Sequence, residues 1–342
     1  MPGLRGFGCG LVLLGLMGVG MRAQEAPGSE DAGPLVKSSR QAPAPIERSE
    51  PAEAQAAPMA QAVIYDKAIF QKPLAAADLA SLKGFDGATS NELYRDKEFK
   101  RVLKAAVPDV MFHYGRDMSL PSAVDVVMSG SPIPVRVIGG RYVMLQGKAS
   151  LYPGLSGKGM MWVDTQDGVV LGAFYFHPSN GEPTPSVTVF SKQIAEDAIT
   201  MGELPPEFEE ALMGWSQSQG VPMVTTRYFI GDTHEKILLE HDEDFCSAGP
   251  NGRPMGNPGD DCLEMNVKAA DLDEGAAYFL DQTHYATNAT AYMLGPDQVE
   301  FLRVRERTCG NVVDPLACQI RVSRERTRVI LKRTPGKVVV RK

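Results

Sequence analysis

The sequence predicts an α+β fold: an antiparallel sheet of about five strands with flanking helices, followed by a small, mostly helical, disulfide-stapled module. Three observations lead there. Between residues 135 and 191 short runs dense in β-branched and aromatic residues alternate with turn residues. After residue 260 the apolar positions recur at helical intervals. Four cysteines fall between residues 246 and 318. With 43% hydrophobic and 23% charged residues, the 342-residue chain has a globular composition and the length for two domains. Its net charge of −7 argues against general nucleic-acid binding, which needs cations against phosphate, and favours a basic or neutral partner.

Residues 1–23 read as a secretory signal peptide. Arg5 supplies a positive start, Gly6 to Met21 carry no charge, and Ala23 offers a small residue for cleavage. This apolar stretch is short of the ~20 residues a membrane helix needs, so no stable span is expected after cleavage. Residues 24–60 hold nine Ala, six Pro and no aromatic residue, the composition of a disordered linker. The expected location is therefore periplasmic or secreted.

Residues 61–218 form the expected α+β domain. Leu93, Tyr94, Phe99, Val102 and Leu103 have helical spacing over Asn91 to Ala106, and Pro108 ends the pattern. Strands are expected over Val135 to Ile138, Arg141 to Gln146, Gly159 to Asp164, Val169 to His177 and Ser186 to Ser191. Gly139-Gly140 and Thr165 to Gly168 supply the turn chemistry between them. Ile194 to Thr200 and Pro206 to Trp215 read as helical, with Leu204, Phe208, Leu212 and Trp215 suited to cover one sheet face.

Residues 219–342 form the expected second domain. A hairpin is expected around Gly231-Asp232, then helices over Asp261 to Leu280, Pro296 to Arg307 and Leu316 to Leu331. Once Cys9 leaves with the signal, Cys246, Cys262, Cys309 and Cys318 remain, and an oxidising compartment makes two disulfides the default. Their spacing favours Cys246 with Cys262 and Cys309 with Cys318, although four cysteines permit three pairings. Residues 230–300 carry fifteen acidic and three basic side chains, a net of −12, whereas residues 301–342 carry twelve basic and three acidic, a net of +9. The acidic segment would orient and speed the approach of a basic partner, with Asp242, Glu243 and Asp244 as its densest run.

Catalytic patterns are sparse. His-Glu-x-x-His is absent, and Gly154-Leu155-Ser156-Gly157 lacks the spacing of a nucleophile elbow. The five histidines share no ligand spacing, and His241 to Asp244 lacks the alternation and Gly of a calcium loop. No cofactor, metal or catalytic residue is assigned, and the chain is not expected to be an enzyme. A hydrolase built on a carboxylate pair would leave no mark in the sequence.

Two stretches resemble bacterial families. Cys262-Leu263-Glu264-Met265-Asn266, the segment Asp271 to Tyr278, the helix Asp297 to Cys309, Cys318 and Glu325-Arg326-Thr327 resemble the LprI-type lysozyme inhibitor family over about 100 residues. The first domain is similar in feature order to the inhibitor of vertebrate lysozyme (Ivy) family: the helix with Phe99 and Leu103, an extended segment Val124 to Val127, and the strands Gly140 to Met144, Gly159 to Asp164 and Val169 to Phe174. That family carries a Cys- and His-bearing loop between two such strands. Here the corresponding Gly147 to Lys158 loop has neither residue.

Both resemblances imply an exported envelope protein that binds a basic lysozyme or another cell-wall-cleaving glycosidase and occludes its cleft. Lys148, Tyr152 and Lys158 would then meet the partner's catalytic carboxylates, while Asp242, Glu243 and Asp244 meet its basic surface. The alternative is a non-inhibitory scaffold that binds peptidoglycan or a secretion partner.

Overall fold

A computed structural model of the chain describes residues 65–333, apart from 115, 153–154, 177–184, 197, 248–260 and 286–294, together with 338–339. The expected signal peptide (1–23) and linker (24–60) lie outside the described residues.

Two short helices come first, α1 (Ala76–Leu79) and α2 (Ser90–Arg95), and α3 (Lys97–Ala106) follows at once. The sequence suggested one helix where α2 and α3 stand. Asp96 divides it: its backbone is extended, and its carboxylate accepts the Phe99 N–H at 2.9 Å, capping α3. A separate ribbon of β1 (Met111–Tyr114) and β2 (Arg116–Ser119) leads into α4 (Leu120–Met128). The extended segment expected over Val124 to Val127 is thus helical. Ser119 caps the Ser122 N–H, Pro121 sits in the first turn, and Val124, Val127 and Met128 bury one face.

The meander follows as β3 (Arg136–Ile138), β4 (Tyr142–Tyr152), β5 (Leu155–Asp164), β6 (Val169–Phe176) and β7 (Ser186–Phe190), each antiparallel to the next. Gly139 and Gly140 have φ of 58° and 63°, and the Arg141 N–H closes their turn on the Ile138 carbonyl at 3.1 Å. Strands β4 and β5 run further than expected. The segment read as a loop over 147–158 is largely a ladder, with Lys148 opposite Lys158, Ala149 opposite Gly157 and Ser150 opposite Ser156. Gly147 serves close packing there: a Cβ on it would lie 2.3 Å from the Val127 carbonyl oxygen of α4.

No helix forms over Ile194 to Thr200 among the described residues; Ile194 bridges Phe70 instead. Helix α5 (Pro206–Gln219) then crosses over, so that β8 (Thr226–Ile230) pairs parallel to β7 and β9 (Glu235–Leu238) returns antiparallel. Helices α6 (Cys262–Tyr285), α7 (Pro296–Cys309) and α8 (Pro315–Arg333) follow, and β10 (Val338–Val339) pairs with β9. The sheet order is β10-β9-β8-β7-β6-β5-β4-β3. The α+β class and the helical C-terminal region stand as expected, but β8 and β9, assigned from the sequence to a second domain, extend the sheet of the first. Residues 61–342 belong to one compact unit.

Period-two alternation buries both sheet faces. Val143, Leu145, Met161 and Val163 pack with α3 and α4, whereas Met144, Met160 and Trp162 pack with Phe208, Leu212 and Trp215 of α5. On β8, Phe229 faces the α5 side while Tyr228 joins Leu238, Ala277, Phe279 and Ile330 under the C-terminal helices. Cys246 is bonded to Cys262 and Cys309 to Cys318. The basic tail spends part of its charge internally: Arg305 pairs with Asp271, and Arg326 lies 3.6 Å from Glu274 and 3.5 Å from Asp297. Among the described residues no helix is long and apolar enough to cross a membrane.

Candidate functional site

Helix α5 carries Glu209, Leu212, Met213 and Ser216 at spacings of three, four and seven, which place them on one stripe. That stripe forms one wall of a cavity of about 630 Å³. Val187 of β7 and Arg227 of β8 contribute from the sheet, opposite one another in register. The turn after α5 adds Val221, Pro222 and Met223, and the segment after β9 adds Asp242, Glu243 and Phe245. Aliphatic and thioether side chains share the wall with polar ones, Ser216, Gln217 and Thr225 among them, and Arg227 meets Glu243 there.

The 241–247 segment is held firmly against α6. Asp273 receives both the His241 backbone N–H and its Nδ1, each at 2.7 Å. Asn266 accepts the Phe245 N–H at 3.0 Å and donates to Asp244 at 2.7 Å, and the Cys246–Cys262 bond closes the far end. His241 is buried, and its Nε2 has no hydrogen-bond partner among the described residues. Among these residues no group of His, Cys, Asp or Glu is arranged to hold a metal.

The carboxyl groups differ in charge state for physical reasons. Burial alone would raise Glu243, but the Arg227 guanidinium grips both its oxygens, at 2.8 and 2.9 Å, and holds it down at about 2. Glu209 has no such partner. Burial, then the neighbouring Asp242 charge, push it up to about 7. One cavity therefore contains a firmly ionised carboxylate and another that takes up a proton near neutrality.

The residues singled out from sequence separate into groups. Asp242 and Glu243 line the cavity. Asp244 spends its oxygens on Asn266, the Cys246 N–H and Ser247 Oγ, which makes it a brace for the segment. Lys158 donates to the Gln219 carbonyl at 2.5 Å and lies 5.5 Å from the Tyr175 ring centroid, so it caps the negative end of α5. Lys148 is exposed on β4 directly across from Lys158, and Tyr152 ends the same strand, its side chain outside those described. The structure thus does not bring Lys148 to the cavity.

Sequence reasoning missed Glu209 and Arg227. The available signals were a carboxylate beside Phe208 and Leu212 on an amphipathic helix and a lone guanidinium inside an apolar strand. Compared with known families, curated proteins and solved structures, the chain matches none. Fold and site together define a mixed α/β protein with an acidic, thioether-walled cavity beneath a crossover helix.

Proposed function

We propose that the protein is an exported binding protein that occludes the cleft of a basic, cell-wall-cleaving glycosidase of the lysozyme type, without chemistry of its own. One observation carries this reading: Asp242 and Glu243, the densest part of the acidic segment, join Glu209 at a recess, on backbone anchored by Asp273, Asn266 and a disulfide. Asp242, which has no ion pair among the described residues, is a suitable counterpart for a cationic partner, because a carboxylate on anchored backbone steers its approach and loses little freedom on contact. Lys148, exposed on β4, supplies opposite charge for a carboxylate-lined groove.

The test is inhibition of lysozymes of several classes in a turbidity assay, using the full exported chain. Inhibition at micromolar protein is expected, weakened about tenfold by Asp242→Lys and reduced by rising salt. No inhibition of any class, or sugar release by the chain itself, overturns the reading.

A further inference from the structure

The cavity beneath α5 also has the attributes of a small-ligand site. Its volume of about 630 Å³ is typical of pockets that enclose small molecules. Its walls include Met201, Met213 and Met223, whose unbranched thioethers adapt to an aliphatic chain, together with Leu212, Val221 and Phe245. The charged groups facing Glu209 are Asp242 and Glu243 from the segment after β9 and Arg227 from β8. Arg227 is occupied by Glu243 through both terminal nitrogens. Neither Glu209 nor Asp242 has an ion pair among the described residues, and Arg227, the cation lining the same recess, is committed to Glu243.

We propose that this cavity binds a primary ammonium carried on an aliphatic stem, the ammonium lying between Glu209 and Asp242 and the stem against the methionines. Two sources present that chemistry: a lysine side chain of a protein partner, and a free aliphatic amine. The site stands apart from the glycosidase reading, because a small amine suffices to fill it.

Proton linkage gives the site a signature. Glu209, raised to about 7 by burial and the Asp242 charge, holds a proton in the absence of a cation. An ammonium favours its ionised form, so binding expels that proton below neutrality and is opposed by it. Affinity is then expected to rise about tenfold from pH 6 to pH 8, as the fraction of ionised Glu209 rises.

Isothermal titration of the full chain with Nα-acetyl-lysine N-methylamide, n-hexylamine and the neutral n-hexanol tests this, at both pH values and in two buffers of different ionisation enthalpy. Expected are binding of both amines, none of the alcohol, and proton release at pH 6. Tighter binding of the lysine amide assigns the site to a protein side chain; tighter binding of hexylamine assigns it to a free amine. Glu209→Gln, checked for folding by circular dichroism, is expected to weaken amine binding and flatten its pH dependence; Asp242→Asn provides a second weakening variant. Absence of amine binding at millimolar ligand, equal binding of hexanol, or a pH-independent affinity overturns the proposal. Glycosidase inhibition without amine binding sinks this inference alone, and amine binding without inhibition sinks only the function proposed above.

Discussion

Glu209 works against the folded state once it loses its proton. Its folded value, about 7, lies above the ordinary 4.5, so its stabilising contribution is complete below 4.5 and disappears as pH rises through 7. Glu243 has the opposite sign: held at about 2, it stabilises above 4.5 and loses that effect as pH falls toward 2. Glu209→Gln is therefore expected to raise the urea midpoint at pH 8, with the gain shrinking toward zero by pH 4. Arg227→Met leaves Glu243 uncompensated in a largely buried place, and a loss of about 3 kcal/mol is expected in urea unfolding. Adding Glu243→Leu should recover much of it. Asp242 and Glu243 were legible as a run of charge, since such a run stands out in any sequence. Glu209 and Arg227 were not: their meeting depends on α5 lying over the β7–β8 pair, a non-local arrangement that no spacing announces.

Elements were legible where local chemistry dominates. Gly139-Gly140 marked its turn, and the apolar spacing of α5 marked the face that covers Trp162. Misreadings came from residues serving two purposes. Valines at 124, 126 and 127 favour strands, yet the Ser119 cap and Pro121 start a helix whose buried face needs them. Gly147 reads as loop punctuation but belongs to a strand on which α4 rests. Gly147→Ala should force α4 outward and cost about 1 to 3 kcal/mol, measured by thermal unfolding against wild type. At the other end of the chain, Cys309 ends α7 and Cys318 lies in the first turns of α8. Replacing both by Ser should lower stability by about 2 to 4 kcal/mol, checked by denaturant titration.

The whole molecule is organised by one sheet that crosses the boundary read near residue 218. Apolar patterning located β8 and β9 but not their partner, because a hairpin looks the same whether it stands alone or extends an existing sheet. The parallel β7–β8 pair has a practical consequence. A chain ending at residue 218 would leave β7, with Val187 and Val189, as an uncovered edge. Such a fragment is expected to aggregate in size-exclusion chromatography and to be cut rapidly by protease, whereas the chain from residue 61 onward stays monodisperse. The opposed charge blocks also act at this scale: Arg305 and Arg326 turn inward to Asp271, Glu274 and Asp297, so less acidity faces outward than the residue count implies.

Both disulfides join cysteines that follow one another along the chain. As the polypeptide emerges from its N-terminal side, Cys246 encounters Cys262 before Cys309 and Cys318 have appeared, and Cys318 later finds Cys309 unspent. Oxidative maturation can thus proceed by simple succession, without the slow partner exchange that interleaved bridges demand.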